Sequence, residues 1–245
     1  MQAVDLSEWE KIITKIAKGL FDNKISKDEL NADYIKKTYE ELEGAIDDGF
    51  GTDFTDDDLT TIATNLKANA NLFSQAKNVA MQYEIADLMI DENGKPRSFN
   101  SFKKDVLALN ATYNQTYLQA EYQTVQASSQ SAKKWHGIQR RKERYPNLIY
   151  KTVGDDNVRD AHKDLANIIK PVDDVFWDSF YPPNGWRCRC FVSQTNKATT
   201  DERNPEVDEK NVPELFRQNL AKDDIVIPAK HPYYTLFKAS KNGKK

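Results

Sequence analysis

Apolar residues recur at steps of three and four through roughly the first 135 positions and lose that period after Pro146, so a helical stretch precedes a mixed one. Ser7-Glu-Trp-Glu10 has the form of a capping box, and Trp9, Ile12, Ile13, Ile16 and Leu20 follow at helical spacing. Ser26-Lys-Asp-Glu29 repeats the start signal before Leu30, Tyr34, Tyr39, Leu42 and Ile46, and Asp47-Asp-Gly-Phe-Gly51 breaks the pattern. Thr55 is placed to cap a third helix, with Asp56, Asp57 and Asp58 complementing the dipole of its first turn. Its stripe is Leu59, Ile62, Leu66, Ala70, Phe73, Ala76, Ala80 and Tyr83. A turn at Asp91-Glu-Asn-Gly-Lys-Pro96 leads to a fourth helix from Ser98 or Ser101, which carries Phe102, Val106, Leu109, Tyr113, Tyr117 and Ala120 and reaches about Trp135. Two long antiparallel helices are the simplest arrangement of the last two stripes.

Beyond Pro146 the texture is that of short elements. Leu148 to Val153 is β-branched and aromatic, as a strand requires. Gly154-Asp155-Asp156-Asn157 is a turn, Val158 to Ile169 reads as a short helix stopped by Pro171, and Arg187 to Val192 reads as a strand. Glu214 to Ala221 is expected as a short helix, Asp224 to Pro228 as a short strand, and the terminal KASKNGKK as a frayed tail.

Composition narrows the class. The chain has 245 residues and a mass of 28.1 kDa, enough for one sizeable domain or a small domain with a large appendage. Two cysteines exclude a disulfide-stapled scaffold, and no apolar run approaches the roughly 18 residues of a membrane span. The start, MQAVDLSEWEKII, lacks the features of an export signal, so the expected setting is cytoplasm-like with reduced thiols. The net charge of −3 hides an asymmetry: residues 1–95 hold 10 basic and 20 acidic residues, the remainder 25 and 18. Within 131–151, Lys133, Lys134, Arg140, Arg141, Lys142, Arg144 and Lys151 face one acid, Glu143. Such a segment is either a solvated helix end and loop or a patch that meets phosphates or an acidic protein.

One constellation carries candidate chemistry. His162 falls on the stripe of Val158, Ala161 and Leu165, so its imidazole points inward and needs a hydrogen-bond partner or a metal. Cys188 and Cys190, two apart on a strand, would project to one side, with Arg187 and Arg189 on the other. Two thiolates and an imidazole form a zinc-type set that needs a fourth ligand. Asp160 lies about 200° around the helix from His162, whereas Asp155 or Asp156 at the helix start could supply it. The other reading is a core histidine beside two buried thiols. Asp155 and Arg159 have the spacing of a helical ion pair. Phosphate-loop, dinucleotide-binding, HExxH and nucleophile-elbow motifs are absent from the sequence, and His136 and His231 read as ordinary surface or packing residues.

YKTVGDDNVRDAHKDL (150–165) followed by FWDSFYPPNGWRCRCFV (176–192) resembles the signature of the phage Mu F-like, or phage head morphogenesis, family of minor head proteins. The likeness rests on an ordered combination: a Tyr-x-Thr strand, a Gly-Asp turn, Val-Arg-x-x-His, a Phe-Trp stretch, Pro-Pro-x-Gly-Trp and Cys-Arg-Cys. With the helix YNQTYLQAEYQT (113–124), it covers about residues 100–195. The family's polar positions map to Asp155, Arg159, His162, Cys188 and Cys190. One departure is Asn167-Ile-Ile, where members often carry a glycine. Some relatives carry an additional C-terminal toxin or ADP-ribosyltransferase domain, and the roughly 50 residues after Cys190 are too few for one.

The expectation is a predominantly helical α+β protein. Its segments would be a helical region (1–97), a head morphogenesis domain of a long helix plus a compact α+β unit (98–195), and an extension with a tail (196–245). The resemblance implies a minor head protein of a tailed phage or prophage, acting in head morphogenesis near the portal and linked to DNA packaging or ejection. Its partners would be portal or capsid proteins, with a non-specific DNA contact and no membrane. It would reside in the virion, and in the bacterial cytoplasm during assembly. The cofactor expectation is one structural zinc on His162, Cys188 and Cys190 with Asp155. The alternative is a hydrolase, transferase or toxin-related effector using Asp155, Arg159, His162, Cys188 and Cys190.

Overall fold

The computed structural model describes residues 5–54, 56–200 and 212–242. Helices α1 (Leu6–Phe21), α2 (Ala32–Phe50), α3 (Asp57–Asp87), α4 (Phe99–Ala111) and α5 (Leu118–Gln139) come first. The short strands β1 (Asn147–Lys151), β2 (Ile169–Pro171) and β3 (Phe191–Thr195) alternate with α6 (Asp160–Asp164) and α7 (Phe176–Phe180), and α8 (Pro232–Asn242) closes the order. The class is helical α+β. Two compact units are assembled from non-consecutive stretches. The first takes residues from 1–43, 70–122 and 230–245; the second takes 44–69 and 123–229.

The helix starts are set by side chains a little off their expected places. Asp5, rather than Ser7, accepts the α1 cap hydrogen bond, from the Ser7 amide. Ser26 closes a turn by accepting from Asp28, and Asn31 caps α2 by accepting from Tyr34. Thr55 lies outside the described residues, and Asp56 accepts from the Asp58 amide at the head of α3. Ser98 caps α4 as its position implies. Asp91 organises the turn before it by accepting from the amides of Asn93 and Lys95.

In the first unit, Glu84 of α3 meets Tyr113, and Lys77 meets Glu121 of α5. The numbers run in opposite senses, so α3 and the α4–α5 rod are antiparallel. That rod is not one α-helix. Residues Thr112–Tyr117 form a π-helical turn, whose wider winding advances the buried face by one residue. Phe102, Val106 and Tyr113 are buried as the stripe predicts, but Tyr117 is 43% exposed and Leu118 and Glu121 take the inward positions instead of Tyr117 and Ala120.

Within the second unit, β1 is the central strand of an antiparallel three-stranded sheet ordered β2-β1-β3. Leu148 pairs with Lys170 of β2 and with Gln194 of β3, and Lys151 pairs with Phe191. The expected helix from Val158 to Ile169 is only α6; its last two apolar residues belong to the approach to β2 and to β2 itself. Asn167 explains why: at φ 66° it sits in the left-handed region, where asparagine is tolerated, and its amide donates to the Tyr150 carbonyl. The glycine-like conformation is thus kept despite the departure from the family pattern. Further differences concern the C-terminal stretch. A 3₁₀ turn (Glu214–Phe216) stands for the expected helix to Ala221, Asp224–Pro228 is turn and bend rather than strand, and residues 238–242 of the expected tail belong to α8. α8 begins on Pro232, whose missing amide hydrogen costs nothing in a first turn.

Candidate functional site

The sheet register places the site. Lys151, the last residue of β1, pairs with Phe191, the first of β3, in an antiparallel ladder. The chain leaving β1 and the chain entering β3 therefore emerge at the same end of the sheet. The first arm turns through Gly154 (φ 77°), with Asp155 accepting from the Asn157 amide, and enters α6, which carries His162. The second arm comes from Pro182-Pro183, joined by a cis peptide bond, through Gly185-Trp186-Arg187 to Cys188 and Cys190. Arg187 has φ 59°, and its amide donates to Thr124 Oγ1 on α5. This turn takes Cys188–Cys190 out of the strand expected for Arg187 to Val192; the strand starts only at Phe191.

The side chains that sequence spacing singled out do meet. His162 is 2% exposed and Cys188 3%. His162 Nδ1 lies 3.5 Å from Cys190 Sγ and 3.7 Å from Cys188 Sγ, while its Nε2 is buried without a hydrogen-bond partner. Both thiols are free cysteines, Cys188 buried and Cys190 half-buried. The Cys190 thiol donates to Cys188 and holds the Cys188 pKa well below the ordinary thiol range, against the opposing effect of burial. Cys190 is raised for the complementary reason: losing its proton would break that hydrogen bond and put a second negative charge beside the first.

The other family positions brace the arms. Asp155 is not with the sulfurs: both its oxygens accept from Arg189, at 2.6 and 2.8 Å, on the exposed side. Its partner is thus Arg189 across the two arms rather than Arg159 along the helix, because α6 starts only at Asp160 and Asp155 precedes it. Arg189 depresses the Asp155 carboxyl below its usual range. Arg159 Nη2 donates to the Trp186 carbonyl at 2.6 Å, and its guanidinium lies 3.3 Å from where a Cβ on Gly185 (φ 156°) would stand, so a side chain at Gly185 would crowd this brace. Asp160 is exposed and paired with Lys163.

A cleft of about 940 Å³ opens on the cluster. Gln123, Gln126, Gln130 and Lys134 of α5 line one side, and Arg159, His162 and the Arg187–Phe191 segment the other. Sequence reading missed this α5 face because glutamines at helical spacing read as solvent-facing. Of the basic segment, Arg140 pairs with Asp56 and Lys142 with Asp173. Lys133 donates to the Phe50 carbonyl, Arg141 to Gln194 and Lys151 to Asn167, while Lys134 stands over the Phe191 ring and Arg144 over Tyr145. His136 lies 3.6 Å from Asp56 and forms, with Asp58, a second trio close enough to hold a metal, but the Asp56 carboxylate is already engaged by Arg140. His231 is buried, as a packing residue would be, and burial pushes its pKa down to about 4.

A family model described as phage Mu protein F like protein matches residues 31–193. The chain belongs to this family. Among curated relatives, the "Putative capsid assembly protein F" of Escherichia phage Mu is 43% identical over 58 residues, which is 24% of this chain and 13% of that protein. The "Mu-like prophage FluMu F protein" of Haemophilus influenzae is 36% identical over 58 residues, 24% of this chain and 14% of that protein. The stretch this phage Mu F-like chain shares thus spans about one seventh of each relative. No solved structure matches. Among the described residues no helix is long and apolar enough to cross a membrane.

Proposed function

We propose that this chain acts in assembling the head of a tailed phage or prophage, as a minor head protein positioned beside the portal and carried in the virion. The observation that carries this reading is the family match over residues 31–193, which takes in α2 to α5, the two arms, β1, β2 and the first three residues of β3. The printed name of the phage Mu relative, a capsid assembly protein, supports it. Its partners are portal and capsid proteins. The basic stretch from Lys133 to Lys151 adds a weak, salt-sensitive contact with packaged DNA, limited because acids already match Arg140 and Lys142.

Removing the gene from its phage or prophage tests this directly. The expected result is defective heads, with the chain present in a few copies in purified wild-type particles by mass spectrometry. Normal yields of filled, infectious particles without the chain would overturn the reading. Charge reversal at Arg141 and Arg144 is expected to weaken DNA retention at low salt only.

One observation favours a hydrolase or transferase reading: Cys188, a buried thiol held below its usual pKa, is among the residues that line the cleft. The rest of a nucleophilic site does not follow from these residues. A catalytic imidazole needs a group to orient its far nitrogen, and His162 Nε2 has no such partner. Asp155 and Arg159, the polar groups available for that work, are engaged with Arg189 and the Trp186 carbonyl. Structural assembly is therefore the better-supported function.

A further inference from the structure

We propose that His162 Nδ1, Cys188 Sγ and Cys190 Sγ are three ligands of a zinc ion that joins the two arms at the end of the sheet, with the fourth coordination position open to the cleft and filled by water. Geometry comes first. Zinc–sulfur and zinc–nitrogen bonds of about 2.3 and 2.0 Å at a tetrahedral angle set sulfur and nitrogen about 3.5 Å apart. The two sulfur–nitrogen separations in the structure are 3.5 and 3.7 Å. All three donor atoms lie within 4.8 Å of one another, as the corners of one coordination polyhedron must.

Chemistry selects the ion. Two thiolates and an imidazole are the soft and borderline donors that favour zinc over calcium or magnesium, and a divalent cation cancels both thiolate charges. Binding requires both sulfurs as thiolates and a neutral imidazole, so metal uptake releases protons and weakens as pH falls. The polymer is also arranged for it. The ligands come from α6 and from the segment entering β3, two stretches with 25 residues between His162 and Cys188, held in register by β1–β3 pairing and by the Asp155–Arg189 fork.

The fourth position follows from what surrounds the cleft. Its lining residues include neither an aspartate nor a glutamate, and Asp155 is turned away toward Arg189. His162, Cys188 and Cys190 all line this cleft. This makes a three-ligand site with a solvent position, a form that also accepts a small monodentate ligand. The inference stands apart from the head-assembly reading, since a chain without zinc could still assemble heads.

The full chain, purified with a thiol reductant and without chelator, is the material for the test. Elemental analysis is expected to give about one zinc per chain. Cys188→Ser, Cys190→Ser and His162→Ala are each expected to lower that content to near zero, whereas Asp56→Asn leaves it unchanged. Should the ligand variants fail to fold, cobalt exchanged into the wild-type chain gives an independent readout. Intense tetrahedral ligand-field bands with a thiolate charge-transfer band support the site, and azide should shift those bands by replacing the water. Folded wild-type protein that takes up neither zinc nor cobalt overturns the site, as does a six-coordinate cobalt spectrum or zinc retained in a Cys188→Ser/Cys190→Ser double variant. Cobalt bands that azide leaves unmoved overturn the open position.

Discussion

Two buried polar clusters divide the interior of this protein by opposite logic. In the first unit, Lys77 is 0% exposed, donates to Glu121 Oε2 at 2.5 Å and also donates to the Tyr113 carbonyl in the π turn. Burial lowers the Lys77 pKa and raises that of Glu121, and their mutual attraction opposes both shifts. The cluster is closed by its own opposite charges. In the second unit, two thiols and an imidazole, each able to present a lone pair, converge on one another without a carboxylate among them. A buried polar group that has found its complement reports packing; donors that face one another report a place for something else.

The widest test of the contrast is metal removal. Bound structural zinc contributes on the order of 10 kcal/mol of apparent folding free energy in small metal-dependent domains. Leaving Nε2–H without a protein acceptor costs about 1–3 kcal/mol, too little to offset that. A strong chelator is therefore expected to lower the unfolding midpoint of the wild-type chain and to leave that of His162→Leu unchanged. The amides that lose exchange protection should be those of α6 and β3, not those around Lys77.

Next comes the closed cluster. Lys77→Met leaves Glu121 buried and uncompensated, and is expected to cost about 3–5 kcal/mol by chemical denaturation. Adding Glu121→Leu should recover most of it, because the loss comes from the stranded charge. An additive double variant would break the comparison from the other side.

Acid should reveal a third, smaller effect near the closed cluster. His231 stacks edge-on against Phe73, and its pKa is lowered by burial first and by the Lys77 charge second. With the folded value at about 4 and the unfolded value near 6.5, the unfolded chain binds the extra proton first as pH falls. Stability is therefore fully present above about 6.5 and declines toward pH 4, by up to about 3 kcal/mol. His231 Nδ1 also accepts from the Tyr233 amide, a role that asparagine can fill. His231→Asn is expected to flatten the stability profile between pH 6.5 and 4. The least effect belongs to the exposed fork on the open cluster: Asp155→Asn should leave the unfolding midpoint of the zinc-bound chain unchanged.

Periodicity made the helical half legible, because α1, α2, α3 and α4 each present a spaced apolar face. It failed where local backbone chemistry overrides spacing. The π turn moved the inward positions from Tyr117 and Ala120 to Leu118 and Glu121, and sequence offers no marker for it except a buried carboxylate that period alone would put outside. Ile168 and Ile169 counted toward a helix because the left-handed Asn167 between them and α6 has no signature in a stripe. At the site, the inward turn of His162 was readable from Val158 and Leu165. The meeting with Cys188 and Cys190 was readable only as matching chemistry, since the β1–β3 register that creates it is a pairing across 40 residues. Lys77 was unreadable as core, because a lysine on a helix reads as solvated until its acid is found in space.

The π turn also has a consequence for how the gene can vary. Gln115, Thr116 and Tyr117 are exposed, and the Tyr117 ring packs 5.4 Å from that of Tyr113. Deleting any one of them would restore ordinary winding and still leave Leu118 and Glu121 facing inward, because the wider turn takes up one extra residue. This stretch of the rod can lose one residue and keep Glu121 against Lys77.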